Sequence, residues 1–300
     1  MNYKDSARSS IKVSVCVVCY NQEKYIKQCL ESVLKQETNF DFEVIVGDDA
    51  STDSTRDIIL KLQETYPDKL KTLFHEKNIG AYDNVLSVYR AATGDYIAHL
   101  DGDDYFLPGK LQAQCDFMDE NEDCAISFHR VNVLYGESLL KKDLLNINLL
   151  PAQGFTRSGL FQLVALGTNS SKMFRREGCV FPSVDFPVID YFFNCYQVRD
   201  GRVKYVGGSV LGVYRAGIGI ASANLRTREV MVKSFKRLLI DFPDERRFIC
   251  AAVFIFMLAD LKNRRKTWRG FVRVWLQSFD VRFFIEVLKR YKVIKMLRLP

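Results

Sequence analysis

The stretch Tyr96-Ile-Ala-His-Leu100, followed by Asp101-Gly-Asp103-Asp104, decides the fold class. An apolar run that leads into clustered acids is typical of a buried strand that ends at the edge of a sheet. Carboxylates this close together repel one another and raise each other's pKa unless a cation lies between them. Oxygen ligands suit Mg²⁺ or Mn²⁺, which usually take one or two carboxylates together with substrate phosphates. The alternative is an acidic loop in solvent.

A second acidic pair, Asp48-Asp49, has the same placement in the sequence. It follows a short β-branched run, and Ser51 or Asp53 behind it can cap the next helix. Ligands of open α/β sheets bind outside the carboxyl ends of the strands. Two acidic pairs at two strand ends therefore predict one shared crevice, and they favour the cation site over the solvent loop.

Strand and helix patterns alternate along residues 12–120. Strands are expected at 12–20, 42–48, 70–75 and 96–100, and helices from about Glu23, after Asp53, at 84–92 and after Pro108. Apolar residues in the helical segments recur at spacings that place them on one face. This alternation predicts the α/β class, with a mostly parallel sheet flanked by helices.

Several short motifs occur in order along this region. They are Val13-Ser-Val15, Tyr20-Asn21, Gln36, Asp48-Asp-Ala-Ser-Thr-Asp53, Asn78-Ile-Gly80, Ala92-Thr-Gly-Asp-Tyr96 and Leu100-Asp-Gly-Asp-Asp104. Together they resemble the family 2 glycosyltransferases of GT-A fold, over residues 12–115 and more weakly to about residue 215. The resemblance implies a nucleotide-sugar donor, with a UDP-sugar first in order, and transfer with inversion assisted by Mn²⁺ or Mg²⁺.

The resemblance also implies roles for individual residues. Tyr20 would stack on the base, and Asp49 would accept a hydrogen bond from the base or the ribose. Asp101 and Asp103 would form the metal and diphosphate site, with Asp104 beside them as a further metal ligand. The implied nucleotide-sugar-binding set is Tyr20, Asn21, Asp48, Asp49, Asn78, Gly80, Asn84, Asp101, Gly102 and Asp103.

The acceptor side needs a base, because a hydroxyl is a poor nucleophile until a positioned carboxylate takes its proton. Inversion requires attack from the face opposite the leaving group, so the base belongs on a different segment from the metal acids. Residues 168–175 resemble the family's segment of small residues beside the acceptor site, and residues 186–192 resemble the motif that carries the base. We predict Asp190, at a helix start where the helix dipole favours a carboxylate. Asp185 is the alternative.

The family pattern is not matched everywhere. After Arg215 many relatives carry a histidine near the metal, whereas this chain continues with Ala-Gly-Ile-Gly, and none of its three histidines obviously replaces it. His99, inside a strand, is expected to be buried. Asp83 stands where relatives often have a basic residue before the position of Asn84. A histidine metal contact and this phosphate contact are therefore not predicted.

The charge of the 300-residue chain is uneven. The net charge is +7, but residues 226–300 hold 19 Lys/Arg against 7 Asp/Glu, so the remainder is acidic. Helical spacing places two sets of apolar residues on faces of this basic region: Trp268, Phe271, Val272 and Trp275, and Phe283, Phe284, Val287, Leu288 and Tyr291. Such helices suit an anionic membrane surface, which a lipid-linked acceptor would require. Alternatively, they pack on the catalytic domain or on a second subunit of a homo-oligomer.

We predict four segments: an N-terminal tail at 1–11, the nucleotide-sugar-binding half at 12–110, the acceptor-binding half at 111–225, and a basic helical region at 226–300. No signal peptide is expected, and the apolar run at 248–259 is shorter than the ~20 residues that span a bilayer. Eight scattered cysteines favour a reducing compartment. We expect a cytoplasmic protein, peripheral at the inner face of the cell membrane, and no nucleic-acid partner, because no such module is present.

Two other functions stay open. A sugar-phosphate nucleotidyltransferase shares the α/β plan, but it needs a Gly-rich, Arg-containing loop after the first strand, where this chain has Cys19-Tyr-Asn-Gln-Glu-Lys24. A membrane-associated nucleotide-sugar binder without a working base would carry the same donor motifs. The favoured prediction is a glycosyltransferase that acts on a glycan or lipid-linked glycan in surface polysaccharide synthesis.

Overall fold

The computed structural model describes residues 11–136, 138–140, 150–162, 167–218 and 227–296. These residues fall into two compact units. The first holds the described residues up to 140 together with 167–179 and 205–218, and the second holds the others. The four-segment division drawn from the sequence stays a prediction.

The first unit begins with alternating strands and helices. In chain order they are β1 (Ile11–Cys19), α1 (Ile26–Leu34), β2 (Asp41–Asp48), α2 (Thr55–Thr65), β3 (Leu70–Phe74), α3 (Ala81–Ala91) and β4 (Tyr96–Asp101). β1 pairs with β2 and with β4, and β2 pairs with β3, all in parallel. The predicted α/β class, with a parallel sheet over this region, is confirmed.

The remainder of the sheet is antiparallel. It contains β5 (Tyr105–Phe106), β6 (Cys124–Tyr135), β7 (Ser138–Leu140), β8 (Met173–Arg175) and β9 (Arg202–Ala216), and helix α4 (Lys110–Glu120) lies between β5 and β6 in the chain. The described strands follow the order β3-β2-β1-β4-β8-β6-β9-β5, with β7 beside β6. β8 pairs with both β4 and β6 in the antiparallel sense, as β5 does with β9. The sheet is therefore mixed, and the strands that extend it beyond β4 were not predicted.

The parallel strands form the core of the first unit. Val13, Val15 and Val17 of β1 lie in one buried cluster with Val44 and Val46 of β2. β-branched residues pack well on a pleated surface, and strands covered on both faces are rich in them. Helix α1 closes one side of this cluster with Ile26, Cys29, Leu30, Val33 and Leu34.

Two helices begin at positions other than those predicted. α1 begins at Ile26 instead of about Glu23, because residues 23–25 form a turn in which the Glu23 amide donates to the Asp53 carboxylate at 3.1 Å. α3 begins at Ala81 instead of about Asn84, directly after Gly80. Gly80 has a φ of 90°, which glycine adopts readily and which lies outside the helical range.

The second unit is mainly helical in its described part. Its helices are α5 (Arg157–Gln162), α6 (Asp190–Gln197), α7 (Thr227–Asp241), α8 (Arg246–Lys262), α9 (Trp268–Ser278) and α10 (Phe283–Met296). α8 contacts α5, α7, α9 and α10, and its Ile249, Cys250 and Val253 are fully buried. Among the residues described, no helix combines the length and the apolar character needed to cross a membrane.

Glu43 of β2 is a buried carboxylate that ties the segment before β4 to β1. Its Oε1 accepts hydrogen bonds from Ser14 Oγ at 2.6 Å and from Thr93 N at 2.9 Å, and Lys71 Nζ lies 2.7 Å from Oε2. Burial raises the pKa of Glu43, but the hydrogen bonds from Lys71, Ser14 and Thr93 outweigh burial and lower this pKa to about 2.

We expect Glu43 to make the fold sensitive to acid. A carboxyl whose pKa is lowered by folding stabilises the protein fully above its ordinary pKa, and that contribution is lost as the pH falls toward its pKa in the folded chain. The window therefore runs from 4.5 down to about 2, and the free energy involved is roughly 3 kcal/mol. In urea unfolding, Glu43→Gln should be less stable than wild type at neutral pH, and the two should converge in acid. The control Glu120→Gln, at the exposed end of α4, should show the same dependence of unfolding free energy on pH as wild type. If the difference in stability between Glu43→Gln and wild type stays constant as the pH falls, the expectation is wrong.

Candidate active site

The strand ends bring two of the predicted site residues, Asp48 and Asp101, to one edge of the parallel sheet. Cys19 at the end of β1 is in register with Asp48 of β2, and Val18 is in register with Asp101 of β4. The Gly102 amide donates to the Val18 carbonyl at 2.9 Å, so the loop after β4 is bonded to β1. This is the edge at which open α/β sheets bind ligands.

Asp49 joins the loop after β2 to the loop before α3. Its Oδ1 accepts from Ile79 N at 2.7 Å and its Oδ2 accepts from Gly80 N at 3.0 Å, while Asn78 Nδ2 donates to the Asp49 carbonyl at 3.1 Å. Asp49 is almost fully buried, yet each carboxylate oxygen can accept a further bond. The structure thus brings Asp49, Asn78 and Gly80 together as one hydrogen-bonded rim.

Asp48 and Asn84 use their polar groups inside the protein. Asp48 is fully buried and accepts from Arg56 Nε at 2.5 Å and from Ser51 N at 3.1 Å. Asn84 is also buried and donates from Nδ2 to the Gly47 carbonyl at 2.9 Å. These contacts hold the end of β2 and the start of α3 in place, so they favour a supporting role for both residues over a direct nucleotide contact.

Tyr20 and Asn21 lie in the loop after β1. Tyr20 is 43% exposed, so a large part of this residue is open to solvent. Asn21 has a φ of 52°, a left-handed conformation that asparagine tolerates. The side-chain Oδ1 of Asn21 accepts a hydrogen bond from Thr52 N at 2.8 Å, and its backbone N–H donates to Ser51 Oγ at 2.9 Å. Asn21 therefore fixes the loop after β1 against the loop after β2.

The acids after β4 differ in their surroundings. The Asp101 side chain is 39% exposed, and its Oδ1 lies 3.1 Å from His99 Nε2. Asp103 is largely buried, and no other residue in the described part of the chain donates a hydrogen bond to its carboxylate. Asp104 is buried as well, but both of its oxygens accept bonds, from Ser170 Oγ at 2.5 Å and from Arg215 N at 2.7 Å.

The pKa values of these three acids are shifted in different directions. Burial raises the pKa of Asp101, but His99 and Ser170 outweigh burial and leave that pKa below its ordinary value. Burial and the neighbouring Asp101 raise the pKa of Asp103 to about 6. Burial, Asp101 and Asp103 likewise raise the pKa of Asp104. A hard cation would relieve this repulsion at Asp103, which Arg215 and the residue's own backbone amide offset only in part.

The donor set is compatible with a cation that shares its coordination with phosphate. Within the described ranges, no group of three His, Cys, Asp or Glu side chains could by itself hold a metal ion. Mg²⁺ usually binds through one or two carboxylates plus substrate phosphates, and an Asp101–Asp103 pair supplies that number. Asp104 is almost fully buried with a donor on each oxygen, whereas the Asp101 side chain is partly exposed and Asp103 accepts no bond from another described residue, so Asp101 and Asp103 fit better as ligands.

Ser170 and Arg215 contact the acids but were not among the predicted site residues. Ser170 Oγ accepts from the Asp101 amide at 3.1 Å, besides its bond to Asp104. The Arg215 guanidinium donates to the Asp103 carbonyl. The sequence offered only a weak signal for each: Ser170 lies in the segment of small residues, and Arg215 directly precedes the place where relatives carry a histidine.

Gly102 is required by close packing. A Cβ at this position would lie 2.9 Å from Cys19 Cβ and 3.1 Å from the Val18 carbonyl oxygen, and the Gln22 side chain would be nearer still. Contacts below 3.0 Å force something to move. The absence of a side chain therefore lets the acidic loop lie directly against the end of β1.

Both candidate bases lie in the second unit. Asp190 is the first residue of α6 and is exposed, in agreement with the predicted helix start. Its position in the first turn favours the ionised form. Asp185 is also exposed and lines a cleft of about 390 Å³ with Ser183, Val184, Phe186 and Arg237. The choice between the two carboxylates stays a prediction.

Solved structures share this fold. The structure resembles Staphylococcus aureus TarS 1–349 in complex with UDP-GlcNAc with a TM-score of 0.67, at 21% identity over 96% of this chain and 88% of that one. It resembles the mannosyltransferase PcManGT from Pyrobaculum calidifontis, in complex with GDP-Man and Mn²⁺, with a TM-score of 0.61, at 19% identity over 95% of this chain and 80% of that one. The fold is therefore of the GT-A type.

Sequence comparison then identifies the family. Residues 14–180 match glycosyl transferase family 2, and the chain belongs to this family. It is 40% identical over 217 residues to an uncharacterized protein of Mycobacterium tuberculosis (strain ATCC 25618 / H37Rv), which is 68% of this chain and 58% of that protein. It is 38% identical over 131 residues to TuaG of Bacillus subtilis (strain 168), named as a glycosyltransferase of teichuronic acid biosynthesis, over 44% of this chain and 48% of TuaG. The chain thus spans about half the length of these curated relatives.

Proposed function

We propose that this protein transfers a sugar from a nucleotide-diphosphate sugar to an acceptor hydroxyl, with inversion and with the assistance of Mn²⁺ or Mg²⁺. The observation that carries the proposal is the pair Asp101 and Asp103, held at the end of β4 beside the loops after β1 and β2. Membership of the family supports glycosyl transfer. The nucleotide sugars bound by TarS and PcManGT support a nucleotide-sugar donor, and a UDP-sugar is the first candidate.

The donor would lie along the hydrogen-bonded rim. Exposed Tyr20 offers a ring for stacking on the base, and Asp49 offers acceptor capacity to the base or the ribose. Asn78 and Gly80 hold Asp49 in place, and Asn21 holds the Tyr20 loop. The proposed donor contacts thus come from the loops, with buried Asp48 and Asn84 supporting them.

Asp101 and Asp103 would hold the cation, and Asp104 would act mainly by positioning. A bound Mn²⁺ or Mg²⁺ would neutralise the diphosphate and stabilise the leaving nucleoside diphosphate. Asp104 was also predicted as a metal ligand, but it is almost fully buried and its two oxygens accept bonds from Ser170 and Arg215. We propose that those bonds fix the acidic loop, so that the carboxylates of Asp101 and Asp103 keep their places.

The acceptor hydroxyl would give its proton to Asp190. A carboxylate in the first turn of α6 is favoured in its ionised form, which is the form a base requires. Asp190 also lies on a different segment from the acidic loop, as displacement with inversion demands. We propose a glycan or lipid-linked glycan as the acceptor, in surface polysaccharide synthesis, and the name of TuaG supports this class.

A donor screen tests the proposed reaction. Purified protein would be incubated with Mn²⁺ and a panel of UDP-, GDP- and dTDP-sugars, and release of the nucleoside diphosphate would be measured with and without glycan acceptors. Transfer or slow donor hydrolysis supports a glycosyltransferase. Binding of a nucleotide sugar without turnover would support the alternative of a non-catalytic binder, and pyrophosphate release from a nucleoside triphosphate and a sugar phosphate would support a nucleotidyltransferase.

We further propose that the basic helices dock on an anionic membrane, at its cytoplasmic face. The structure changes which residues would do so. Phe271 and Phe283, predicted to face the membrane, are fully buried within the second unit, and Trp275 packs against Phe254 and Phe283. Among the side chains that the structure describes in α9, α10 and the turn between them, the exposed apolar ones, here called the apolar row, are Leu276, Phe279, Val281, Phe284, Ile285 and Leu288. The predicted contact of Tyr291 lies outside the described side chains.

We expect sedimentation with liposomes that contain acidic lipid. Binding should fall as salt rises, because the Debye length shrinks from about 10 Å at 0.1 M to about 3 Å at 1 M. The remaining binding should come from burial of the apolar row, which salt does not screen. The double variant Phe284→Ser with Leu288→Ser should remove that part, whereas Leu60→Ser, at an exposed apolar position on α2, should not. Sedimentation that does not depend on salt would contradict membrane docking. A dimer in light scattering, together with no binding to liposomes, would also contradict it and would favour a second subunit as the partner of the apolar row.

A further inference from the structure

A chain of two hydrogen bonds leads from the core of the first unit to Asp101. The phenolic oxygen of Tyr89 lies 2.8 Å from His99 Nδ1, and His99 Nε2 lies 3.1 Å from Asp101 Oδ1. His99 is fully buried and Tyr89 is nearly so. A buried histidine was expected at this position, but its contact with an acid of the site was not.

The fold brings these groups together. Side chains at positions i and i+2 of a strand point to the same face, so His99 and Asp101 of β4 are neighbours on one face of the sheet. Tyr89 comes from α3, and its ring meets the His99 ring edge-on, with centroids 5.7 Å apart. Phe174 of β8 packs edge-on against the same tyrosine at 5.2 Å. Packing therefore restrains both rings.

The donors and acceptors can be assigned along this chain. A carboxylate only accepts hydrogen bonds, so His99 Nε2 donates to Asp101. In that tautomer Nδ1 is an acceptor, and the Tyr89 O–H can donate to it. Ser170 Oγ lies 3.3 Å from the other oxygen of Asp101, Oδ2, but its single proton is directed at Asp104 Oδ2, which is 2.5 Å away. His99 is therefore the fixed donor behind the Asp101 carboxylate, while the side chain remains partly exposed.

We infer that Tyr89 and His99 are positioning residues, which set the orientation of the Asp101 carboxylate toward the Mn²⁺ or Mg²⁺ of the proposed reaction. The inference rests on that proposed function. Residues that hydrogen-bond a metal ligand from behind orient it, and their loss typically lowers metal affinity by about 10–100-fold. Such residues act without touching the cation or the donor.

The test compares four variants by the binding of Mn²⁺ in the presence of UDP, followed through the paramagnetic resonance signal of free Mn²⁺. His99→Leu removes both hydrogen bonds, and we expect Mn²⁺ affinity to fall about 10–100-fold. Tyr89→Phe removes only the outer bond, and a fall of about 3–10-fold is expected. His99→Gln keeps an N–H near the position of Nε2 and should retain most of the affinity. Tyr96→Phe is the matched control, since this buried tyrosine bonds Asp119 instead.

Binding of UDP in chelator, measured by calorimetry, separates positioning from general damage. We expect this metal-free affinity to stay within about twofold of wild type in every variant that melts cooperatively. Unchanged Mn²⁺ affinity in Tyr89→Phe and His99→Leu would overturn the inference, as would equal losses with and without metal. If wild type itself binds no Mn²⁺ with UDP, the proposed metal site fails first, and the inference fails with it.

Discussion

Asp103→Asn is expected to lower glycosyl transfer by roughly 10²–10³-fold, because a metal clamp on a diphosphate contributes several kcal/mol to catalysis. The replacement keeps the shape of the side chain but removes the charge that the cation needs. Nucleotide binding in the presence of Mn²⁺ should weaken, and binding in chelator should not. For wild type, chelation should abolish transfer and added Mn²⁺ or Mg²⁺ should restore it.

Asp68→Asn is the matched control for this variant. Asp68 is exposed in the turn that precedes β3, at the opposite end of the strands from the acidic loop. It should keep wild-type turnover and wild-type metal dependence. Full activity of wild type in chelator, or of Asp103→Asn with Mn²⁺, would show that the acidic loop does not bind a catalytic cation.

Asp190→Asn is expected to lower turnover by about 10²–10⁴-fold, the usual contribution of a positioned general base. Affinity for the nucleotide should change little, because Asp190 belongs to the acceptor side of the proposed reaction. Single-turnover transfer gives the first quantity, and calorimetry with UDP and Mn²⁺ gives the second. Slow donor hydrolysis should survive better than transfer, since water does not need the same acceptor position.

Asp185→Asn provides the comparison within the same segment. Asp185 is also an exposed carboxylate, and it lines the cleft beside Arg237. Turnover near the wild-type value is expected for this variant. If the large loss appears in Asp185→Asn and not in Asp190→Asn, the base has been assigned to the wrong carboxylate. Losses in both would indicate that the whole segment positions the acceptor.

The sequence was sufficient for the parallel half of the fold, because each of its strands carries a strong local signal. β1, β2 and β4 are apolar runs that stop at polar residues, and the parallel order follows from the helices between them. The antiparallel half lacks such signals. β8 has three residues, Met173–Arg175, and pairs with β4 and β6 only through contacts distant in sequence. The local sequence pattern of β8 does not show which distant strands it pairs with.

The strand ends that carry the candidate site were predictable from the sequence, but the hydrogen bonds among its side chains were not. Asp101 and Asp103 are marked by their spacing after a strand. Asp48, in contrast, is buried and accepts a hydrogen bond from Arg56, eight positions further along the chain. The sequence does not show in which direction the Arg56 side chain points, so this bond could not be predicted. The amphipathic spacing of α9 and α10 likewise predicts only part of the structure. It shows that Phe271 and Phe284 are on apolar faces, but only packing shows that the first is buried and the second is exposed.

The bonds among the rim residues bear on attempts to change donor preference by mutation. Hydrogen bonds to neighbouring loops are made by Asp49, Asn78 and Asn21. Replacing these residues would therefore disturb the geometry of the loops before it altered donor selectivity. Libraries aimed at these three positions should therefore yield mostly poorly folded proteins. Tyr20 is different, because its ring is exposed and can be exchanged without breaking the rim. If Tyr20 stacks on the base as proposed, it is the position at which a changed base preference could be selected while the fold is kept.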